Sequence, residues 1–210
     1  MSHRTLLALL LSVATISPAM SQEPITLFGI PFNQPISVPE CPWKDARDYM
    51  SRDRKATKRE YNNTHFSDAL CYTQHLNIGQ PPADGKISFV FPLSKAPSMG
   101  RVSGRLVNGR LARVEIYTRG ISAQASDFEM LTQKFGQPTT LRRPTVQNRM
   151  GASFDTIEAE WKLPDGSSVV YGSALTKIDD GIVIISTPAG DEAEKLAQEE
   201  FKRKFGGTEL

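Results

Sequence analysis

Few residues in this chain have the types and spacing that chemistry needs. Apart from His3, the histidines are His65 and His75, and the cysteines are Cys41 and Cys71. A nucleophile–histidine–carboxylate set would have to recruit His65 or His75, and both fall in the least regular stretch of the chain. Gly151-Ala152-Ser153 and Gly172-Ser173 read as loop and strand serines. Glu158 and Glu160 form a carboxylate pair, but Lys162 continues the same strand face, and a solvated surface accounts for all three better than acid–base work. There is no GxSxG elbow, P-loop, dinucleotide-binding glycine pattern or HExxH. No catalytic residue, metal ligand or cofactor is therefore assigned.

The cysteines have two readings. A metal site built from His65, Cys71 and His75 matches no zinc spacing and lacks a fourth ligand. In an oxidising compartment two cysteines favour one disulfide. A Cys41–Cys71 bridge closes a loop of 30 residue steps, which stabilises a fold by roughly 3–4 kcal/mol in the chain-entropy account.

Binding chemistry is better represented. Arginines 101, 105, 110, 113, 119, 142, 143 and 149 are denser than elsewhere. Arg101, Arg105 and Arg113 fall with Tyr117 on one strand face, a strip suited to an anionic envelope polymer or an acidic partner protein. The bland alternative is ordinary strand solubility. Residues 44–61 carry seven basic and four acidic side chains, either a docking patch or a charged loop tethered by the disulfide. Asn62-Asn63-Thr64 matches a glycosylation acceptor, meaningful only in a eukaryotic secretory pathway.

Hairpins and two helices must position these side chains. Val107-Asn108-Gly109, Pro164-Asp165-Gly166 and Asp179-Asp180-Gly181 repeat one turn chemistry between β-rich runs. Read as three-residue loops closed by a glycine bulge, the first two separate apolar from charged faces. Trp161 then faces Val169, and Ala159 faces Tyr171. Val102 faces Val114, Gly104 faces Ala112 and Arg101 faces Glu115, which puts Arg101, Arg105, Arg113 and Tyr117 on one solvent-facing surface. Ser126 and Glu129 form a capping box ahead of a Phe128, Leu131, Phe135 stripe that stops at Gly136. Asp191 caps a last helix with Ala193, Leu196, Ala197, Phe201 and Phe205 on one side. Ile182 to Ile185 has no polar alternation and predicts burial on both faces. Trp43 to Met50 suggests one or two helical turns, and Leu141 to Met150 a basic irregular link. The order ββ-α-βββ-α gives an α+β fold: an antiparallel sheet of bulged hairpins and a meander, with two helices on one face.

Residues 1–21 read as a secretory signal, with Arg4, an apolar run from Leu6 to Ile16 and Ala19-Met20-Ser21 at the cleavage site. That run is shorter than the about 20 residues a membrane span needs, so no anchor is expected after cleavage. Residues 22–210 then form one α+β domain, with a disulfide-looped part at 22–100 and the ββ-α-βββ-α part at 101–206. The formal charge of +2 falls to +1 without Arg4, which gives no argument for nucleic acid.

Leu27-Phe28-Gly29-Ile30-Pro31, Lys134-Phe135-Gly136-Gln137-Pro138 and Trp161 followed by Asp165-Gly166 resemble small secreted or periplasmic proteins of Gram-negative bacteria. That resemblance implies the compartment and no activity. The function expected is a non-catalytic periplasmic or secreted binding protein, with a small periplasmic hydrolase as the alternative.

Overall fold

A computed structural model describes residues 25–47, 51, 55–61, 69–74, 78–79, 84–92, 100–148 and 150–205. The expected signal segment, His65, His75, Asn62-Asn63-Thr64 and Arg149 lie outside these residues. The fold is α+β. Eight antiparallel strands make one open sheet: β5 (Cys71–Gln74), β6 (Gly85–Val90), β7 (Val102–Val107), β8 (Arg110–Thr118), β9 (Thr140–Arg142), β12 (Glu158–Lys162), β13 (Ser168–Gly172) and β14 (Gly181–Ser186). Their order is β5-β6-β7-β8-β14-β13-β12-β9. Among the described residues three small hairpins stand apart from it: β1 (Thr26–Leu27) with β2 (Ile30–Pro31), β3 (Trp43–Arg47) with β4 (Thr57–Tyr61), and β10 (Thr145–Gln147) with β11 (Ser153–Asp155). The helices are α1 (Gln124–Phe135) and α2 (Pro188–Phe205).

The β12–β13 hairpin has the expected register, with Trp161 opposite Val169 and Ala159 opposite Tyr171. Gly166 closes it at φ 81°, and the Asp165 carboxylate accepts from the Ser167 amide and hydroxyl. The β7–β8 hairpin departs from expectation. Asn108 and Gly109 alone form its turn, at φ 51° and 70°, and Val107 pairs with Arg110. The bulge lies one step further on, where Leu106 faces Leu111 but Arg105 faces Arg113, so Ala112 is the extra residue. Val102 therefore faces Ile116, and the Tyr117 amide donates to the Arg101 carbonyl. Beyond the bulge the register is two residues off, which preserves the alternation of faces, so Arg101, Arg105, Arg113 and Tyr117 keep their expected side. On the turn side the offset is one residue, and Leu111, expected opposite Arg105, turns into the core opposite Leu106.

Asp179-Asp180-Gly181 is not a tight turn. Gly181 is the first residue of β14, opposite Thr118, and the chain crosses from β13 through residues 173–180. Glycine is needed at 181 for space, because a Cβ there would collide with the Thr118 hydroxyl. Residues 43–47 form a strand instead of helical turns, with Trp43 opposite Tyr61 and the Arg59 guanidinium over the Trp43 ring at 4.7 Å. The expected irregular link contributes edge strand β9 and the side strand β10.

Residues 39–41 of the N-terminal part are tied to the sheet's first edge, and residues 33–36 to the start of β8, where the Asn33 amide donates to the Leu111 carbonyl. Cys41 and Cys71 are bonded. The Tyr72 amide donates to the Pro39 carbonyl and the Cys41 amide to the Tyr72 carbonyl. The Glu40 carboxylate accepts from the Tyr61 hydroxyl, the Gln74 amide group and the Gly79 backbone. Burial and that carboxylate push the Tyr61 hydroxyl well above the ordinary tyrosine range.

One sheet face is apolar. Val102, Val114, Ile116, Val183, Ile185, Val169, Tyr171 and Trp161 are buried there. Helix α1 packs on this face, with Phe128 and Phe135 at ring distances of 6.2 and 6.5 Å from Trp161 and Leu131 fully inside. The Trp161 indole N–H donates to the Gly136 carbonyl at 2.8 Å, so its one polar atom is satisfied. A 3-10 turn, Gly120–Ala123, leads into α1, and the Ser126 hydroxyl donates to the Ala123 carbonyl instead of capping the helix. Helix α2 does not share α1's face. It meets the opposite face, where Arg113 receives Asp191 of its first turn and Arg105 receives Glu194 of its second. The expectation of two helices on one face is corrected accordingly. The reason lies at the β8 bulge: the Ala112 carbonyl accepts from the Thr187 amide and hydroxyl, and a Cβ on Gly190 would strike that carbonyl. Thr187, whose hydroxyl accepts from the Gly190 amide, replaces Asp191 as the cap.

Candidate functional site: the outer sheet face

The outer face consists of the side chains that alternate with the core. It carries Ser103, Arg105, Arg113, Glu115 and Tyr117 on β7 and β8, and Ile182, Ile184, Val170, Glu158 and Glu160 on β14, β13 and β12. The two groups have different fates.

On β7 and β8 the face is occupied from within. Arg105 pairs with Glu194 at 2.7 Å, and Arg113 with Asp191 at 2.8 Å and Glu115 at 3.2 Å. The Arg105 and Arg113 side chains are only 16% and 13% exposed. Burial pushes the Glu115 carboxyl up, but hydrogen bonds and charge from Lys86 and Arg113 outweigh it and hold the group below the usual range. At Glu194 burial is likewise outweighed, there by Arg105 and Gln198. The solvent-facing arginine strip is corrected at this point. Arg101, Arg105, Arg113 and Tyr117 do share a face, but Arg105 and Arg113 belong to the α2 contact. Arg101 alone of the three arginines is exposed, with its guanidinium 4.9 Å from the Tyr117 ring centre.

On β12 to β14 the same face is open. A groove of about 390 Å³ runs across it. Ile182, Ile184 and Val170 form the floor, and Ala174 and Leu175 on the 173–180 crossing line it as well. Val170 is 39% exposed and Leu175 48%. The charged lining is balanced: Arg142 pairs with Glu158 at 2.8 Å, and Lys162, next along the strand, with Glu160. Large apolar side chains standing in water between charged flanks are the anatomy of a recognition patch.

Catalytic alternatives find no geometry here. Glu158 and Glu160 spend their charge on Arg142 and Lys162. Ser173 is fully buried, accepting from the Ile157 amide and donating to the Gln124 side chain. Ser153 is exposed and receives a hydrogen bond from Gln147. Among the described residues no group of three or more His, Cys, Asp or Glu side chains is placed to hold a metal ion.

Two features escaped sequence reasoning. The unbroken run Ile182 to Ile185 was read as burial on both faces, whereas Ile182 and Ile184 are only half-buried. The same run also fits a strand with one apolar face turned outward. Asp127, in the first turn of α1, is buried, and its Oδ2 has no hydrogen-bond partner among the described residues. Burial raises its carboxyl; Arg119 opposes this, as does the Thr118 hydroxyl, which lies close by but outside good hydrogen-bond geometry.

Comparison of the chain with protein-family models, with curated proteins and with solved structures finds no match.

Proposed function

We propose that this chain is an extracytoplasmic, non-catalytic binding protein whose partner docks on the uncovered part of the outer sheet face. The observation that carries the reading is the groove over β12 to β14, with an apolar floor left in solvent while α2 fills the other half of the same face. A protein partner is favoured over an anionic envelope polymer, because Arg105 and Arg113 are already paired and the groove offers apolar contact. The signal-like residues 1–21 and the Cys41–Cys71 disulfide support a periplasmic or secreted location. No described helix is long and apolar enough to cross a membrane.

Substituting Val170→Glu and Leu175→Glu tests this. Both positions are exposed, so each change should alter stability by about 0.5 kcal/mol or less. Capture of a discrete partner from the native extracytoplasmic fraction should be lost with both substitutions and kept with Glu199→Lys on the outside of α2. Capture unaffected by either groove substitution would remove the groove from consideration.

A further inference from the structure

A second cavity lies on the opposite side of the sheet, and its chemistry is different. It measures about 170 Å³ and opens between the β1–β2 hairpin and α1. Ile116, Leu131, Val183 and Ile185 form its buried floor, and Phe28 and Met130 stand exposed at its mouth. The volume is close to the about 150 Å³ of an apolar cavity that accepts benzene, so it suits an apolar body of about six carbons.

Two independent observations mark it as more than a packing gap. The first is Phe28, which sits at φ 53° in the hairpin turn. That left-handed position favours Asn or Gly, and a bulky side chain there is strained. The ring spans from Phe91, 5.2 Å away in an edge-on contact, to the cavity mouth. Turn chemistry alone would select against it, so its place is explained by what the ring covers. The second is Lys134, the one charged side chain lining the cavity among the described residues. Its ammonium donates to the Thr26 carbonyl at 3.0 Å and lies 5.8 Å from the Phe135 ring centre. An ammonium has three donors, which leaves capacity for an incoming acceptor, and among the described residues the lining contains no carboxylate.

We infer that this cavity is a binding site for a small amphiphilic anion, a free carboxylic acid with an apolar body of about six carbons. The body enters beneath Phe28 and the carboxylate meets Lys134 at the mouth. The site is separate from the outer groove and does not depend on it.

Methyl-resolved NMR on the full chain tests the inference, with hexanoate as probe and hexanol as its uncharged control. Hexanoate should perturb the methyl groups of Ile116, Met130 and Leu131 while leaving Val170 and Ile184 on the outer face unmoved. It should bind roughly tenfold more tightly than hexanol, the factor a charge-assisted hydrogen bond supplies. Lys134→Met should abolish that preference and leave hexanol binding intact. Phe28→Asn suits the turn at least as well, so the fold persists, yet it should weaken both ligands by opening the mouth. Equal affinity for hexanoate and hexanol, shifts on the outer face only, or no shift at all would each overturn the assignment.

Discussion

Helices α1 and α2 each follow an antiparallel meander of the same sheet, yet they are seated by different physics. Helix α1 is held by Phe128, Leu131 and Phe135 against Trp161, an apolar contact with its single polar atom satisfied. Among its described side chains helix α2 brings only Ala193 and Ala197 as partly buried apolar residues, and its grip is Asp191 on Arg113 and Glu194 on Arg105. Leu196 and Phe201, expected on its packed side, are 55% and 64% exposed. Apolar burial scales with area and dominates stability, whereas partly exposed ion pairs contribute little and respond to salt. The difference explains the groove. Because Thr187 pins α2 at the β8 bulge, the helix contacts β7, β8 and the adjoining β14, and β12 and β13 are left uncovered.

The contrast can be broken most forcefully on the α1 side. Trp161→Ala should cost about 3–5 kcal/mol and Leu131→Ala about 2–5 kcal/mol in denaturant unfolding, both independent of salt. A smaller loss would mean that the apolar face does not carry the fold.

On the α2 side, Arg105→Ala should cost about 1–3 kcal/mol, since it strands the half-buried Glu194 carboxylate. A double-mutant cycle with Glu194→Ala should return a coupling energy that shrinks in high salt. Coupling unchanged by salt would place α2 in the same class as α1.

Acid should sharpen the comparison, because the two sides respond with opposite sign. Glu115 and Glu194 are held below their usual range. Their contribution is therefore present above the ordinary carboxylate pKa and is lost as pH falls through the lowered folded values. Asp127 is raised, so its contribution is full below the ordinary aspartate pKa and is lost as pH rises through the folded value. Urea unfolding from about pH 3 to about pH 7 should show Glu194→Gln flattening the rise in stability with pH. Asp127→Asn should steepen it, since the opposing term disappears. Identical profiles for the two variants would contradict this division.

The smallest effect is expected at the groove, where Val170→Glu should shift stability by about 0.5 kcal/mol or less.

Local turn and periodicity signals made the antiparallel sheet and most of its inward and outward faces legible. Asp165-Gly166 fixed its hairpin outright. Asn108-Gly109 placed Arg101, Arg105, Arg113 and Tyr117 on their correct face despite a register two residues out beyond the bulge, because an even slip leaves the pleat unchanged. Leu111, before the bulge, was placed on the wrong one. Contacts distant in sequence were not legible. Nothing in β8 alone announces that the Ala112 carbonyl is paired to Thr187, 75 residues away, and that contact sends α2 to the outer face. Arg105 and Arg113 therefore looked like a free strip, while Ile182 and Ile184, half-buried on the outer face, looked like core.

The most direct test of the proposed binding site is crosslinking in the native compartment, with a photoreactive residue placed at 170, 175 or, as control, 199. The account predicts one discrete adduct from positions 170 and 175 and none from 199. Equal adducts from all three positions, or an adduct from 199 alone, would contradict a partner site in the groove over β12 to β14.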